Sequence, residues 1–118
     1  MLHLDPGGRT LAHDVELATT MWRRMKGLLG RASVPGGYAL VIRPCRSIHT
    51  WFMRCAIDAV FVDASGRVVK VADRVAPFRL VSGGRGARAV VELSGGAASR
   101  AGVRPGDRLV EWERWGAA

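Results

Sequence analysis

The chain has little of what usually declares a function. Its 118 residues include only two cysteines, Cys45 and Cys55, too few for a disulfide framework, so reduced thiols are expected. No apolar run approaches the roughly 20 residues of a membrane-spanning helix. The start, Met1-Leu2-His3-Leu4-Asp5-Pro6-Gly7-Gly8, lacks the basic-then-apolar order of a secretion signal, which makes the cytoplasm the expected location. Walker loops, dinucleotide fingerprints, Ser-centred elbows and HExxH motifs are all missing. So are internal repeats, low-complexity tracts and linkers. Lysine is nearly absent too: only Lys26 and Lys70 occur, and the rest of the positive charge is arginine.

What is there describes an ordinary globule. The hydrophobic content of 48% and a mean hydropathy of +0.08 fit a folded chain, and 118 residues fit one domain spanning 1–118 with its own core. The formal charge is +8 and the sequence pI about 11.2, a balance that favours anionic partners. The arginines are scattered rather than massed, as on a solvated surface. Small anions, peptides and proteins are therefore the expected partners, with nucleic acid the weaker class. A nucleic-acid interface would draw on Arg23, Arg24, Lys26, Arg31 and exposed tryptophan.

Short apolar runs alternate with Gly, Pro and Asp turns, which predicts many short strands. Leu11–Ala18 alternates as a first strand, with His13, Val15 and Leu17 on one face. Thr19 or Thr20 caps a helix in which Met21, Trp22, Met25, Leu28 and Leu29 share the inner side, ended by Gly30. Strands follow at Tyr38–Ile42, stopped by Pro44, and at Ile48–Met53. A hairpin pairs Ile57–Val62 with Arg67–Val71 around Asp63-Ala64-Ser65-Gly66, where Gly66 takes positive φ. Arg74–Arg88 reads as irregular and Ala89–Leu93 as a strand. Gly95–Ala101 reads as a short helix ended by Gly102, and Arg108–Trp112 as the last strand. The expected fold is mainly β (α+β), a compact β-sandwich or barrel-like domain with two short helices.

The chemistry concentrates between Pro44 and Cys55. In a fully extended chain Cys45, Ser47, His49, Trp51, Met53 and Cys55 would share one face, and Arg46, Ile48, Thr50, Phe52 and Arg54 the other. Cys45 and His49 are candidate catalytic residues, because a Cys–His pair can generate a thiolate nucleophile. They are also weak candidates for a metal, since zinc and copper accept both donors. Geometry weighs against the metal: residues four apart on a strand lie about 13 Å apart, so the chain would have to turn between them. The plain reading packs both cysteines as small apolar residues and hydrogen-bonds His49 to backbone. Asp58 and Asp63 flank an apolar strand and face opposite ways. Glu92 lies inside an apolar strand, where it needs either a partner such as arginine or an edge position.

The runs RRMKGLLGR and PCRSIHTWFMRCAIDAVFVDASGRVV, then Pro77, then VVELSGGAASRAGVRPGDRL, together resemble the domain of unknown function 192 family of bacteria and archaea. The resemblance covers about residues 19–109. It implies a compact mainly-β fold, a bacterial source and no established activity or cofactor. It also marks Cys45, Ser47, His49, Thr50, Met53, Asp58 and Glu92 as the family positions of a working face. The reading that follows is a non-catalytic ligand- or partner-binding module. Its binding residues are Ser47, His49, Thr50, Trp51, Met53, Asp58 and Glu92, with a rim of Arg46 and Arg54. The alternatives are a thiol-dependent enzyme or redox protein using Cys45 and His49, and a Cys/His metal-binding protein.

Overall fold

Residues 1–18, 33–51 and 53–116 are described in the computed structural model of the chain. The expected helix at 19–29, and with it Arg23, Arg24, Lys26 and Arg31, lies outside the described residues, as does Phe52. Among the described residues ten strands and two short helices follow one another: β1 (Leu2–Asp5), β2 (Arg9–Ala12), β3 (Asp14–Ala18), β4 (Tyr38–Ile42), β5 (Ser47–His49), β6 (Ile57–Val62), β7 (Val68–Val75), β8 (Leu80–Ser82), β9 (Ala89–Ser94), α1 (Ala97–Ala101), β10 (Arg108–Leu109) and α2 (Trp112–Gly116). The fold is mainly β, as expected, and the strands form separate sheets rather than a closed barrel. No helix among the described residues is long and apolar enough to cross a membrane.

The centre is a five-stranded sheet in the order β3-β4-β9-β6-β7, with β3 parallel to β4 and the other pairs antiparallel. Its middle strands β4, β9 and β6 are almost wholly buried, which is why their sequences read as continuous apolar runs rather than alternations. Alternate residues point to opposite faces, so each face has its own core. On the first face Val41, Val60, Val62, Val91 and Leu93 pack against Leu2, Leu4, Leu11 and Leu109 of a three-stranded sheet, β10-β1-β2, and against Ala98 of α1 and Trp112 of α2. On the second face Leu40, Ile42, Ala59, Phe61 and Val90 pack against Ile48 and Met53, under a two-stranded sheet of β5 and β8.

Four expected elements change. The run Leu11–Ala18 breaks at His13, where the amides of His13 and Asp14 both donate to the Gly37 carbonyl. The chain thereby leaves the small sheet after β2 and enters the large one as β3, while Val15 and Leu17 still face the first core together. The strand expected at Ile48–Met53 is only Ser47–His49, because Thr50 turns the chain. The stretch expected to be irregular contains β8, paired with β5 at Ser47↔Ser82, Ile48↔Val81 and His49↔Leu80. The last strand stops at Leu109, and Trp112 begins a helix instead. That tryptophan folds back over the hairpin turn: its indole N–H donates to Ala64 O at 3.0 Å, and its ring occupies the space where a Cβ on Gly66 would stand. Gly66 has φ 85, as the turn requires, and Asp63 Oδ1 accepts from the amides of Ser65 and Arg67 to close it.

Candidate functional site

The residues singled out between Cys45 and Met53 divide between the surface and the core. In β5 Ile48 points inward to the second core, while Ser47 and His49 point outward with Leu80 and Ser82 of β8. The Cys45 thiol donates to Ser47 O at 3.2 Å, and Cys55 is half-buried beside the second core. Arg46 and Arg54 are exposed. Met53 does not share the outer face: the turn at Thr50 carries it into the second core, so the extended arrangement expected for 45–55 does not form.

Thr50 is buried and acts as a clamp. Its Oγ1 donates to Ala76 O at 2.7 Å and accepts from Arg79 N at 2.8 Å, while its own amide donates to Arg79 O at 2.8 Å. Its carbonyl accepts from Phe78 N at 2.9 Å and from Met53 N at 3.2 Å. These bonds lock the segment after β5 to the segment before β8. On these two joined segments three large apolar side chains reach the surface. Trp51 is 45% exposed, Phe78 68% and Leu80 72%. Trp51 meets His49 edge to face with ring centroids 6.0 Å apart, and Leu80 lies opposite His49 across the strand pair. Phe78 holds φ 63, a strained value for a residue with a side chain. Arg79, between Phe78 and Leu80 in sequence, is exposed, while the exposed Arg46 lies at the other end of β5 with its guanidinium donating to Arg85 O at 3.4 Å. Phe78, Arg79 and Leu80 escaped the sequence reading because β8 is too short to show a period. The available signal was an apolar-charged-apolar triplet directly after Pro77.

The remaining two candidates lie in the large sheet, on opposite faces. Asp58 is buried on the first face and fully engaged: Oδ1 accepts from Arg74 N at 2.8 Å and Gly96 N at 3.0 Å, and Oδ2 from Ala98 N at 2.8 Å. It fastens the start of α1 and the bend in β7 to β6. Glu92 is buried on the second face between Leu40 and Ala59, only 5% exposed, in the central strand rather than at an edge. Among the described residues no arginine or other donor reaches its Oε1. Burial pushes its pKa from the usual 4.5 up to about 7. One step along the same face, Ser94 Oγ is likewise buried without a partner among the described residues. Ser94 lines a pocket of about 370 Å³ together with Cys55, Ala56, Val34 and Arg74.

Among the described residues no group of three or more His, Cys, Asp or Glu side chains converges as metal ligands do. Cys45 precedes β5 and His49 ends it, so the strand itself separates them along its length.

The family model described as DUF192, Uncharacterized ACR, COG1430, matches residues 2–111, more of the chain than the motifs alone covered. A UPF0127 protein of Thermococcus sibiricus is 32% identical over 112 residues, spanning 90% of this chain and 70% of the relative. A UPF0127 protein of Pyrococcus furiosus is 31% identical over 112 residues, spanning 91% and 93%. A Sinorhizobium meliloti crystal structure described as a "putative transcription regulator" superposes with a TM-score of 0.76 at 27% identity, covering 92% of this chain and 89% of that one. A protein of unknown function from Novosphingobium aromaticivorans superposes with a TM-score of 0.74 at 27% identity, covering 80% and 72%.

Proposed function

The chain belongs to the DUF192 family of uncharacterised proteins, and from that premise we propose that it is a non-catalytic binding module that docks an acidic protein segment on the outer face of β5 and β8. The observation that carries this reading is the exposed strip of Trp51, Phe78 and Leu80. Three large apolar side chains exposed on two segments that are hydrogen-bonded to each other are costly to leave in water and are the usual anchor of an interface. Arginine around an aromatic anchor selects acidic partners and speeds their approach. The +8 charge of the whole chain acts in the same direction. Ser47 and His49 supply hydrogen bonds beside the anchor, and Thr50 holds the two segments in register. Within this reading Met53 supports the surface from inside, and Asp58, on the far face of the central sheet, takes no part in it. A thiol mechanism has less behind it, since the Cys45 thiol is turned onto the Ser47 carbonyl.

The test is selection of displayed peptides on the intact protein, with counter-selection on a Trp51→Ser, Leu80→Ser double variant. The expected winners carry Asp or Glu around an apolar anchor, shift the amides of His49, Phe78 and Leu80 in NMR spectra, and bind more weakly as salt rises. Peptides without acidic residues, or shifts confined to another face, would refute the proposal.

A further inference from the structure

The exposed residues His49 and Leu80 lie at one end of the β5–β8 pair, and charge gathers at the other. The pair runs from His49↔Leu80 to Ser47↔Ser82, and beyond it Gly83 N donates to Arg46 O at 2.8 Å. There the chain enters the loop Gly83-Gly84-Arg85-Gly86. Gly83 is pinned against the second core, since a Cβ there would lie 2.4 Å from the Phe61 ring. Gly84, with φ 88, turns the chain, and Ala87 N donates back to Gly84 O at 3.2 Å. The tip of Gly84, Arg85 and Gly86 is left exposed on a fixed base.

Two arginines far apart in the chain meet at that tip. Arg88 Nη1 donates to Arg85 O at 2.9 Å, and Arg46 Nη2 reaches the same oxygen at 3.4 Å. Lys70 Nζ donates to Ser82 O at 2.7 Å where the loop begins. Arg46, Arg85 and Arg88 are exposed, and none has a carboxylate partner among the described residues, where the ion pairs are His3–Glu111 and Arg9–Asp107. Asp63 shares a small pocket with Gly86 and Arg88, but its Oδ1 is taken by Ser65 and by the Arg67 amide. Cations gathered around one neutral oxygen repel each other, and an anion among them relieves that. Each guanidinium has donors to spare. The amides of Arg85 and Gly86 also donate to nothing among the described residues. One carboxylate offers this set two oxygens and a single charge. A phosphate ester offers three oxygens and nearly two charges, and guanidinium groups pair with it fork to fork.

We propose that the segment docked on β5 and β8 is phosphorylated, with its phosphate held by Arg46, Arg85 and Arg88 and its apolar anchor on Trp51 and Leu80. This inference rests on the docking reading and adds a second contact to it. The two contacts are a fixed length apart. Arg46 precedes His49 by three residues of extended chain, about 10 Å at about 3.3 Å per residue. An extended partner therefore carries its phosphate three or four residues from its anchor.

The experiment is calorimetric titration of the full chain with peptides selected on the β5–β8 face. Each is resynthesised with phosphoserine, serine or glutamate at every position from one to seven residues from the anchor. Phosphoserine three or four residues away should tighten binding about tenfold or more over serine, and glutamate there should recover only a minor part of that gain. An Arg46→Gln, Arg88→Gln double variant should lose the gain while weakening the serine peptide far less. Arg104→Gln with Arg108→Gln removes the same charge elsewhere and should keep the gain. A gain that ignores position, that glutamate matches, or that both double variants lose alike would overturn the inference. Peptides that bind the strip with no gain from phosphate sink this inference and leave the docking reading standing. Failure of every peptide to bind sinks both.

Discussion

Asp58 and Glu92 lie on neighbouring strands of the same sheet, one residue out of register, and face opposite ways. Asp58 looks toward the first core, where the amides of Arg74, Gly96 and Ala98 converge on it. Glu92 looks toward the second core, and its Oε1 meets no donor among the described residues. Burial is nearly equal, so burial is not what separates them. The difference is that α1 begins above Asp58 and presents its unused amides there, whereas the elements above Glu92 bring apolar side chains. A buried carboxylate is a structural fastener when the backbone supplies donors, and a cost to stability when it does not. The first face is built to hold together, and the second leaves a buried carboxylate oxygen without a donor among the described residues.

Removing the fastener should have the largest effect. Asp58→Ala strands two buried amides and a part-buried one and should cost about 3–5 kcal/mol, read as a lower denaturant midpoint. A loss below about 1 kcal/mol would mean that water replaces the carboxylate and that the contrast is shallow.

Glu92 should behave in the opposite sense. Its folded-state pKa is raised from 4.5 to about 7, so the folded protein holds that proton more tightly than the unfolded chain does. The associated stability is fully present below about pH 4.5, declines as pH rises through about 7, and is flat above it. At about 1.4 kcal/mol per pH unit the full decline is about 3–4 kcal/mol. Glu92→Leu should abolish it and raise stability at pH 8 by about 1–3 kcal/mol. Denaturation curves of both proteins at pH 5 and pH 8 decide the matter; a variant as pH-sensitive as the parent would clear Glu92 of the effect.

Gly83 sharpens the comparison on the packing side. A Cβ there would lie 2.4 Å from the Phe61 ring and 2.7 Å from Ala87 Cβ, under the second core. Gly83→Ala should cost about 1–3 kcal/mol through overpacking. A neutral result would show that the second core yields where the first does not.

The smallest effect on stability is expected at the exposed strip. Trp51→Ser and Phe78→Ser should each change stability by about 0.5 kcal/mol or less, while removing the binding of any peptide selected on that surface. Loss of several times that amount in thermal melts would recast the strip as part of the core.

Much of the scaffold was legible beforehand. Tyr38–Ile42, Ile57–Val62 and Ala89–Leu93 are long, apolar and bounded by turn residues, and each forms the strand it predicts. Gly66 and Gly102 take the positive φ that their turn and helix end demand. Short elements fared worse. β5 and β8 have three residues each, too few for a period, and each is a strand only because the other lies beside it. The candidate residues were found as a segment but not as a site. A two-residue alternation placed Met53 with His49, and a single turn at Thr50 put one in the core and the other in water.

The sequence by itself determined the family, the mainly-β class, the central strands and their turns, because these follow from local steric preference and from runs of apolar residues that must leave water. It also showed that Glu92 is anomalous, since an acid within such a run has no local remedy. Only the tertiary structure decided that Asp58 is satisfied and Glu92 is not, that Phe78 and Leu80 join Trp51, and that Arg46 meets Arg88 at the Arg85 carbonyl. Each of those outcomes depends on groups distant in the chain arriving at one place. Hydrogen-bond donors and charges act over a few ångströms in space, whatever their separation in sequence.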